Sequence, residues 1–288
     1  MIKVLELFSG TGSVGKVCSE LGWETLSLDL EMKADINIDL MEWDYKKYPK
    51  DSFDVIWASP PCTYYSKLQY CWIGRKKKNG IITTHETIEE QRKESDKLIE
   101  RTFEIIEYFN PHYWFLENPL SCLKDRDVMK DKPYYIVDYC KYCDWGYRKR
   151  TCIWTNKKDF KPLTCHNDCE NMVFVEGQKI HKERMGTTKT IIDNGKIIRV
   201  NTAELRKKYK DYPNLQKQHK KVLANGYEII DGKKVLCNTK EKREKLRHRK
   251  TADGGYDKRN GIIKTSNGTD KLERYRIPPN LIYSLFQE

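Results

Sequence analysis

Short apolar runs alternate with amphipathic stretches through the first half of this chain, and that alternation limits the fold more than any other feature. Residues 3–8 (KVLELF) are strand-like, a small-residue turn follows, and residues 14–21 read as a helix stopped by Gly22. Residues 25–30 (TLSLDL), 34–40 (ADINIDL) and 53–58 (FDVIWA) are further strand candidates. In 86–109, Leu98, Ile99, Phe103, Ile106 and Phe109 recur among polar residues at helical spacing. Residues 112–116 (HYWFL), 134–139 and 151–155 are the remaining strand candidates. Strands alternating with helices predict an α/β fold with a mostly parallel sheet covered on both faces. Sites in such sheets form at the carboxyl ends of strands.

Three distinctive groups sit at predicted strand ends. After the first strand comes FSGTGSVG, in which Gly10, Gly12 and Gly15 match the G-x-G-x-x-G spacing that lets backbone approach a ligand. Dinucleotide enzymes and methyltransferases both use such loops. Asp29, one strand later, is placed to accept ribose hydroxyls. After residues 53–58 the prolines Pro60 and Pro61 pin the backbone, and Cys62 follows directly. A thiolate there is a nucleophile able to add to an electron-poor carbon. After residues 112–116 stands Glu117-Asn118-Pro119, where a partly desolvated carboxyl can hold and donate a proton. A thiol nucleophile with a proton donor suits addition to an aromatic heterocycle.

Charge divides the chain. Residues 157–270 hold 28 Lys and Arg against 15 Asp and Glu, while the rest holds 26 against 27, so the whole excess of +12 lies in that stretch. The expected organisation is a catalytic core at 1–156, a basic lobe at 157–270 suited to a polyanion, and a segment at 271–288 that returns to the core. In the lobe, helix-like and loop-like pieces alternate without clear order, and Asn225-Gly226, Asp231-Gly232 and Asp253-Gly254-Gly255 mark turns. No run approaches the roughly 18 apolar residues of a membrane span, and the start carries no signal-peptide pattern. An intracellular, membrane-free protein is expected.

These motifs carry a family resemblance. FSGTGS resembles the S-adenosyl-L-methionine loop of the cytosine-5 DNA methyltransferases, and PPCTYYS, with Ser66 at the expected spacing, their Pro-Pro-Cys motif. Glu117-Asn118-Pro119 resembles their Glu-Asn-Val, with Pro119 in place of the valine. Residues 145–151 (WGYRKRT) resemble their Gln-x-Arg-x-Arg segment, and 277–281 (IPPNL) their closing motif. The form is most similar to phage and large-virus members. The resemblance implies a Rossmann-like methyltransferase core with a smaller basic target-recognition lobe, double-stranded DNA as partner, and a monomer. A restriction endonuclease is a candidate partner. It also implies attack by Cys62 on a flipped-out cytosine, Glu117 as the acid, and Arg150 matching the first arginine. Phe8, Gly10, Gly12 and Pro60 would line the cofactor, Asp29 would hold its ribose, and Asp39 would meet the adenine with Asp35 as competitor. A tRNA methyltransferase and an inactive DNA-binding relative are the alternatives.

Two features stay open. Arg75-Lys76-Lys77-Lys78 lies where the family has a loop that closes on DNA, and it suits either phosphate contact or a solvated tip. No metal is expected in the chemistry. Cys140, Cys143, Cys165 and Cys169 are candidates for structural zinc, with His166 and His181 nearby, although Cys140 and Cys143 follow a strand where one thiol would point inward.

Overall fold

The structure, a computed structural model, describes residues 1–76, 80–175, 178–182 and 275–287, with the strand backbones 188–193, 196–201, 227–230 and 233–236. Two compact units form, one from Met1–Cys143, Lys149–Cys165 and Tyr275–Glu288, the other from Asp144–Arg148 and His166–Arg274.

The first unit is built on a six-stranded sheet. Strands β1 (Lys3–Leu7), β2 (Glu24–Leu28), β3 (Val55–Ala58) and β4 (Tyr113–Pro119) are parallel, and β6 (Arg150–Thr155) runs antiparallel to both β4 and β5 (Tyr134–Asp138). The order is β2–β1–β3–β4–β6–β5. Alternation of side chains along each strand decides what covers each face. Leu5, Leu7, Ile56, Ala58, Leu116 and Trp154 form one core with Ile99, Phe103, Ile106 and Phe109 of helix α2 (His85–Phe109). Thr84 and Thr87 bond reciprocally at the start of α2, closing its first turn. On the opposite face lie helices α1 (Ser13–Glu20) and α3 (Pro279–Phe286). Phe286 packs 5.8 Å from Phe115, 6.2 Å from Trp57 and, stacked, 5.1 Å from Trp23. Proline at the first turn sets the start of α3, and Ile277 N–H donates to Ser13 Oγ at 3.2 Å, so the last residues close on the glycine loop.

One expected strand does not form. Residues 34–40 touch the sheet only through an isolated bridge of Ile36 to Leu28. Polar side chains take the backbone bonds a ladder would need: Asp35 accepts from Ser27 N–H at 2.9 Å, and Asn37 donates to the Asp29 and Met32 carbonyls.

In the second unit the described residues are antiparallel hairpins, where the sequence suggested no strand order. They are β7 (Met172–Val175) with β8 (Gln178–His181), β9 (Thr188–Asp193) with β10 (Lys196–Asn201), and β11 (Tyr227–Ile230) with β12 (Lys233–Leu236). Each pair is separated by two residues ending in glycine: Glu176-Gly177, Asn194-Gly195 and Asp231-Gly232.

Buried Glu6 of β1 fixes how α1 meets the sheet. Its carboxylate accepts from Val14 N–H at 3.2 Å and Gly15 N–H at 3.0 Å, two donors that the first turn of a helix leaves without partners. A Cβ on Gly15 would sit 3.2 Å from Glu6 Oε2, so a side chain there would crowd the carboxylate. Burial pushes the Glu6 carboxyl up from 4.5 to about 7, opposed by the Gly15 and Val14 bonds. The folded state therefore holds the proton more tightly than the unfolded chain. Its contribution is full below pH 4.5 and is lost as pH rises to about 7. At ~1.4 kcal/mol per unit the loss reaches roughly 3 kcal/mol. Urea titrations of wild type and Glu6→Gln across this window should show the difference in stability moving against wild type as pH rises. A constant difference would show that Glu6 does not titrate there.

Candidate active site

Three strand ends meet at the carboxyl edge of β1, β3 and β4. The loop after β1 turns through left-handed backbone at Phe8 (φ 57°), Gly10 (φ 54°) and Gly12 (φ 65°), a conformation glycine adopts without strain and Phe8 does not. Gly10 N–H donates to Asp29 Oδ2 at 2.9 Å, while Asp29 Oδ1 accepts from Glu31 and Met32 N–H at 2.9 and 2.8 Å. Asp29 thus ties the end of β2 to the glycine loop, and each oxygen keeps further acceptor capacity. The two candidates for the adenine separate here. Asp35 is committed to the Ser27 hydroxyl (2.6 Å) and N–H, which hold its carboxyl below the usual range. The Asp39 carboxylate accepts only from Met41 N–H among the described residues, at 2.9 Å.

The Pro-Pro-Cys loop follows β3. Pro60 lies past the strand end, and its carbonyl accepts from Asn118 Nδ2 at 2.9 Å, a buried bond. Because β3 and β4 are parallel neighbours with Ala58 opposite Leu116, this bond brings the half-buried Cys62 and the Glu117 segment to one edge. The chain beyond Cys62 is braced from two sides. Ser121 Oγ and Cys122 N–H donate to the Tyr65 carbonyl at 2.7 and 3.1 Å. From α2, buried Arg92 donates to the Tyr64 carbonyl and the Tyr70 hydroxyl, both at 3.1 Å. Tyr65 is itself buried and donates to Asp96, which pairs with Arg126. Ser66 caps the following turn by accepting from Leu68 N–H. Of the basic run, Arg75 lies 5.2 Å over the Trp72 ring, and Lys77 and Lys78 fall outside the described residues.

Glu117 is 6% exposed. Its Oε1 accepts from the Tyr139 hydroxyl at 2.8 Å and from Lys149 Nζ at 3.2 Å, and Lys149 also lies 4.6 Å over the Tyr139 ring. Oε2 has no partner among the described residues. The structure does not bring Arg150 to this carboxylate. Its side chain is 45% exposed and bonds Asp138 Oδ1 at 3.4 Å. Strand parity explains the exchange. Glu117 stands opposite Ile153, so residues at steps of two from Ile153, namely Thr151 and Lys149, share its face, whereas Arg150 faces away. Lys149 and Tyr139 are the residues that motif matching missed, and the alternation of 149–155 carried the signal for Lys149.

No protein-family model matches the chain. A protein of frog virus 3 described as "Probable DNA (cytosine-5)-methyltransferase" is 43% identical over 175 residues, covering 59% of this chain and 79% of that protein. The chain belongs to the DNA (cytosine-5) methyltransferase family. Among solved structures, the Dnmt2 methyltransferase of S. pombe aligns with a TM-score of 0.34 at 13% identity, over 58% of this chain and 52% of that one. DNMT2 of Spodoptera frugiperda aligns with a TM-score of 0.34 at 18% identity, over 57% and 54%. The chain thus spans about half the length of these solved chains.

This methyltransferase has an α/β core with a central six-stranded sheet, and the resemblance of its glycine loop implies S-adenosyl-L-methionine as cofactor. The strand-to-helix loop fits such a group. Among the described residues, Ser9 Oγ is buried there without a hydrogen-bond partner, and a Cβ on Gly12 would meet nothing within 4 Å. No helix among the described residues is long and apolar enough to cross a membrane. The thiol candidates divide. Cys143 Sγ donates to the Tyr139 carbonyl at 3.1 Å, whereas Cys169 Sγ lies 3.4 Å from His181 Nε2.

Removing one partner of a buried ion pair leaves the other charge uncompensated, a loss of about 3–5 kcal/mol. Lys149→Met should therefore destabilise this methyltransferase by that order in denaturant titrations, and adding Glu117→Gln should recover much of it. Arg150→Ala, which removes a half-exposed side chain, should cost under about 1 kcal/mol. A loss for Arg150→Ala equal to that for Lys149→Met would contradict the assignment.

Proposed function

We propose that this chain methylates carbon 5 of cytosine in double-stranded DNA through a covalent Cys62 adduct, with the target base turned out of the helix. The observation that carries the reading is the Asn118–Pro60 bond. It joins the loop of a nucleophilic thiol to a strand end whose carboxylate is already oriented by Tyr139 and Lys149. Cytosine carbon 6 is electron-poor but inaccessible in stacked duplex, so the base must leave the stack to reach a side chain. Cys62 adds its thiolate to carbon 6, forming a carbon–sulfur bond and moving electron density toward carbon 5. Glu117 reaches ring nitrogen 3 and the amino group through its unshared Oε2, stabilising the enamine. S-adenosyl-L-methionine, when bound, would supply an electrophilic methyl group for carbon 5, its sulfonium leaving as the neutral thioether. Loss of the carbon 5 proton to a base then restores the double bond and expels the Cys62 thiolate.

Around this step the chain's own residues bind and orient. Phe8, Gly10, Gly12 and Pro60 would line the cofactor, Asp29 its ribose and Asp39 its adenine. Residues 157–270 would form the recognition lobe, their excess of +13 matching a phosphate backbone. The densest basic cluster, Lys242, Arg243, Lys245, Arg247, Arg249 and Lys250, lies outside the described residues.

The deciding experiment uses DNA carrying 5-fluorocytosine, whose substituent cannot be lost as a proton. Wild-type chain should stay covalently attached in the presence of cofactor, and Cys62→Ser should not, while retaining cofactor affinity within about twofold because the glycine loop is untouched. Glu117→Gln should slow methyl transfer by roughly 10²–10⁴-fold. Full turnover by Cys62→Ser would eliminate the covalent route. Methyl transfer to tRNA with none to DNA would move the substrate.

A further inference from the structure

The backbone carbonyls on either side of Cys62 are held one by one. Asn118 Nδ2 donates to Pro60 at 2.9 Å, Gln69 Nε2 to Thr63 at 2.9 Å, Arg92 Nε to Tyr64 at 3.1 Å and Ser121 Oγ to Tyr65 at 2.7 Å. Of these donors only Arg92 carries a charge, and it is 7% exposed. We infer that Arg92 is a positioning residue for the Cys62 thiol, an inference that rests on the covalent reading above. Its guanidinium locks the backbone that presents the nucleophile.

The geometry of α2 brings Arg92 to that backbone. Glu89, Arg92 and Asp96 follow one another at helical spacing and share one face of the helix. The outer two hold the segment beyond β4, for Arg126 donates to Glu89 Oε1 at 2.6 Å and to Asp96 Oδ2 at 3.0 Å. Asp96 also accepts from the Tyr65 hydroxyl at 3.0 Å. Between them Arg92 spans the loop. While Nε meets the Tyr64 carbonyl, Nη1 donates to the Tyr70 hydroxyl at 3.1 Å and Nη2 lies 3.5 Å from Cys122 Sγ. The guanidinium also sits 5.1 Å over the Tyr70 ring. One planar group thus ties both ends of residues 64–70 to the chain that follows β4. A lysine ammonium has no fork with which to do this.

Stability alone does not call for this side chain. Arg92 pairs with Glu89 at 3.8 Å, a contact with a half-exposed carboxylate, and burying a guanidinium carries a desolvation cost. An apolar side chain of similar volume often serves a core as well as a buried ion pair does. It cannot hold the Tyr64 carbonyl and the Tyr70 hydroxyl together. Addition of a thiolate to a ring carbon demands that the sulfur stand in line with that carbon, and a misplacement of about 1 Å costs roughly 10²-fold in rate. Tyr64 is separated from Cys62 by Thr63 alone, whose own carbonyl is held by Gln69, so a shift at Tyr64 reaches the thiol.

The test follows covalent attachment of the full-length chain to duplex DNA containing 5-fluorocytosine, in single turnover at saturating DNA and cofactor. Rates are normalised to the protein that binds cofactor, so a fraction lost to misfolding does not count. Arg92→Met should attach more slowly by about tenfold or more, with the cofactor dissociation constant unchanged. Arg92→Lys keeps the charge without the fork and should also be slowed. The control is Arg101→Met on the same helix. Arg101 Nη2 donates to the Trp43 carbonyl at 3.1 Å, a bond of the same kind that does not involve the Cys62 loop, and this variant should attach at the wild-type rate. Attachment by Arg92→Met at the wild-type rate would overturn the role of Arg92, and so would equal slowing of Arg92→Met and Arg101→Met. If Arg92→Met does not fold, Arg92→Lys and Tyr70→Phe decide, the second removing only a hydroxyl, and wild-type rates in both would overturn the role. Absence of attachment by the wild type itself would instead overturn the covalent reading.

Discussion

The carboxylate of Glu117 sets the terms for the half of the sheet around it. A carboxylate at the inner end of a central strand has little water to solvate it, so the fold must supply partners. It supplies two, the Tyr139 hydroxyl from the end of β5 and the Lys149 ammonium from the start of β6. Both strands lie beyond β4 and run antiparallel to each other, so their ends converge where β4 finishes. Tyr139 N–H in turn donates to the Lys149 carbonyl at 3.0 Å, which keeps the two donors side by side. Shifting β6 by one residue would swap Lys149 for Arg150 on this face and carry Cys152 and Trp154 out of the opposite core. Electrostatics on one face and packing on the other thus enforce the same register.

The loops at the same edge use a related solution. Each parallel strand ends with backbone groups that the ladder no longer satisfies, and buried groups of that kind must find partners. Neighbouring side chains provide them: Asp29 for the Gly10 N–H, Asn118 for the Pro60 carbonyl, Ser121 for the Tyr65 carbonyl and Arg92 for the Tyr64 carbonyl. The residues proposed to react therefore stand on loops held from adjacent elements, which suits chemistry that requires fixed approach geometry.

Much of this was legible in the sequence because local pattern and tertiary context agree there. The parallel strands, α2 and the proline-led α3 follow from apolar period and terminus chemistry, and the three groups at strand ends stand where a parallel sheet places a site. Elsewhere the decisive forces are not local. Residues 34–40 alternate like a strand, but Asp35 and Asn37 spend their side chains on neighbouring backbone, and no periodicity count detects that competition. The second unit reads as loops when charge dominates the eye. Yet TKTIID and KIIRVN flank Asn194-Gly195, a two-residue hairpin signal that the high lysine content obscures. Arg150 fits a motif by type, while Lys149 fits by parity, and geometry follows parity.

The cysteines show the same contrast between spacing and register. Cys140 and Cys143 look like a ligand pair because two residues separate them, a spacing common in zinc sites. In the fold, the short turn after β5 lets the Cys143 thiol find the carbonyl of Tyr139. Cys169 meets His181 instead, a residue brought beside it by the pairing of β7 with β8. Tyr139 and Cys140 are consecutive in the short turn that ends β5, and the Tyr139 hydroxyl reaches Glu117. A constraint on Cys140 is therefore a constraint on the hydroxyl that orients the Glu117 carboxylate. The turn that carries both spans three residues, too few to absorb displacement at one end without transmitting it to the other.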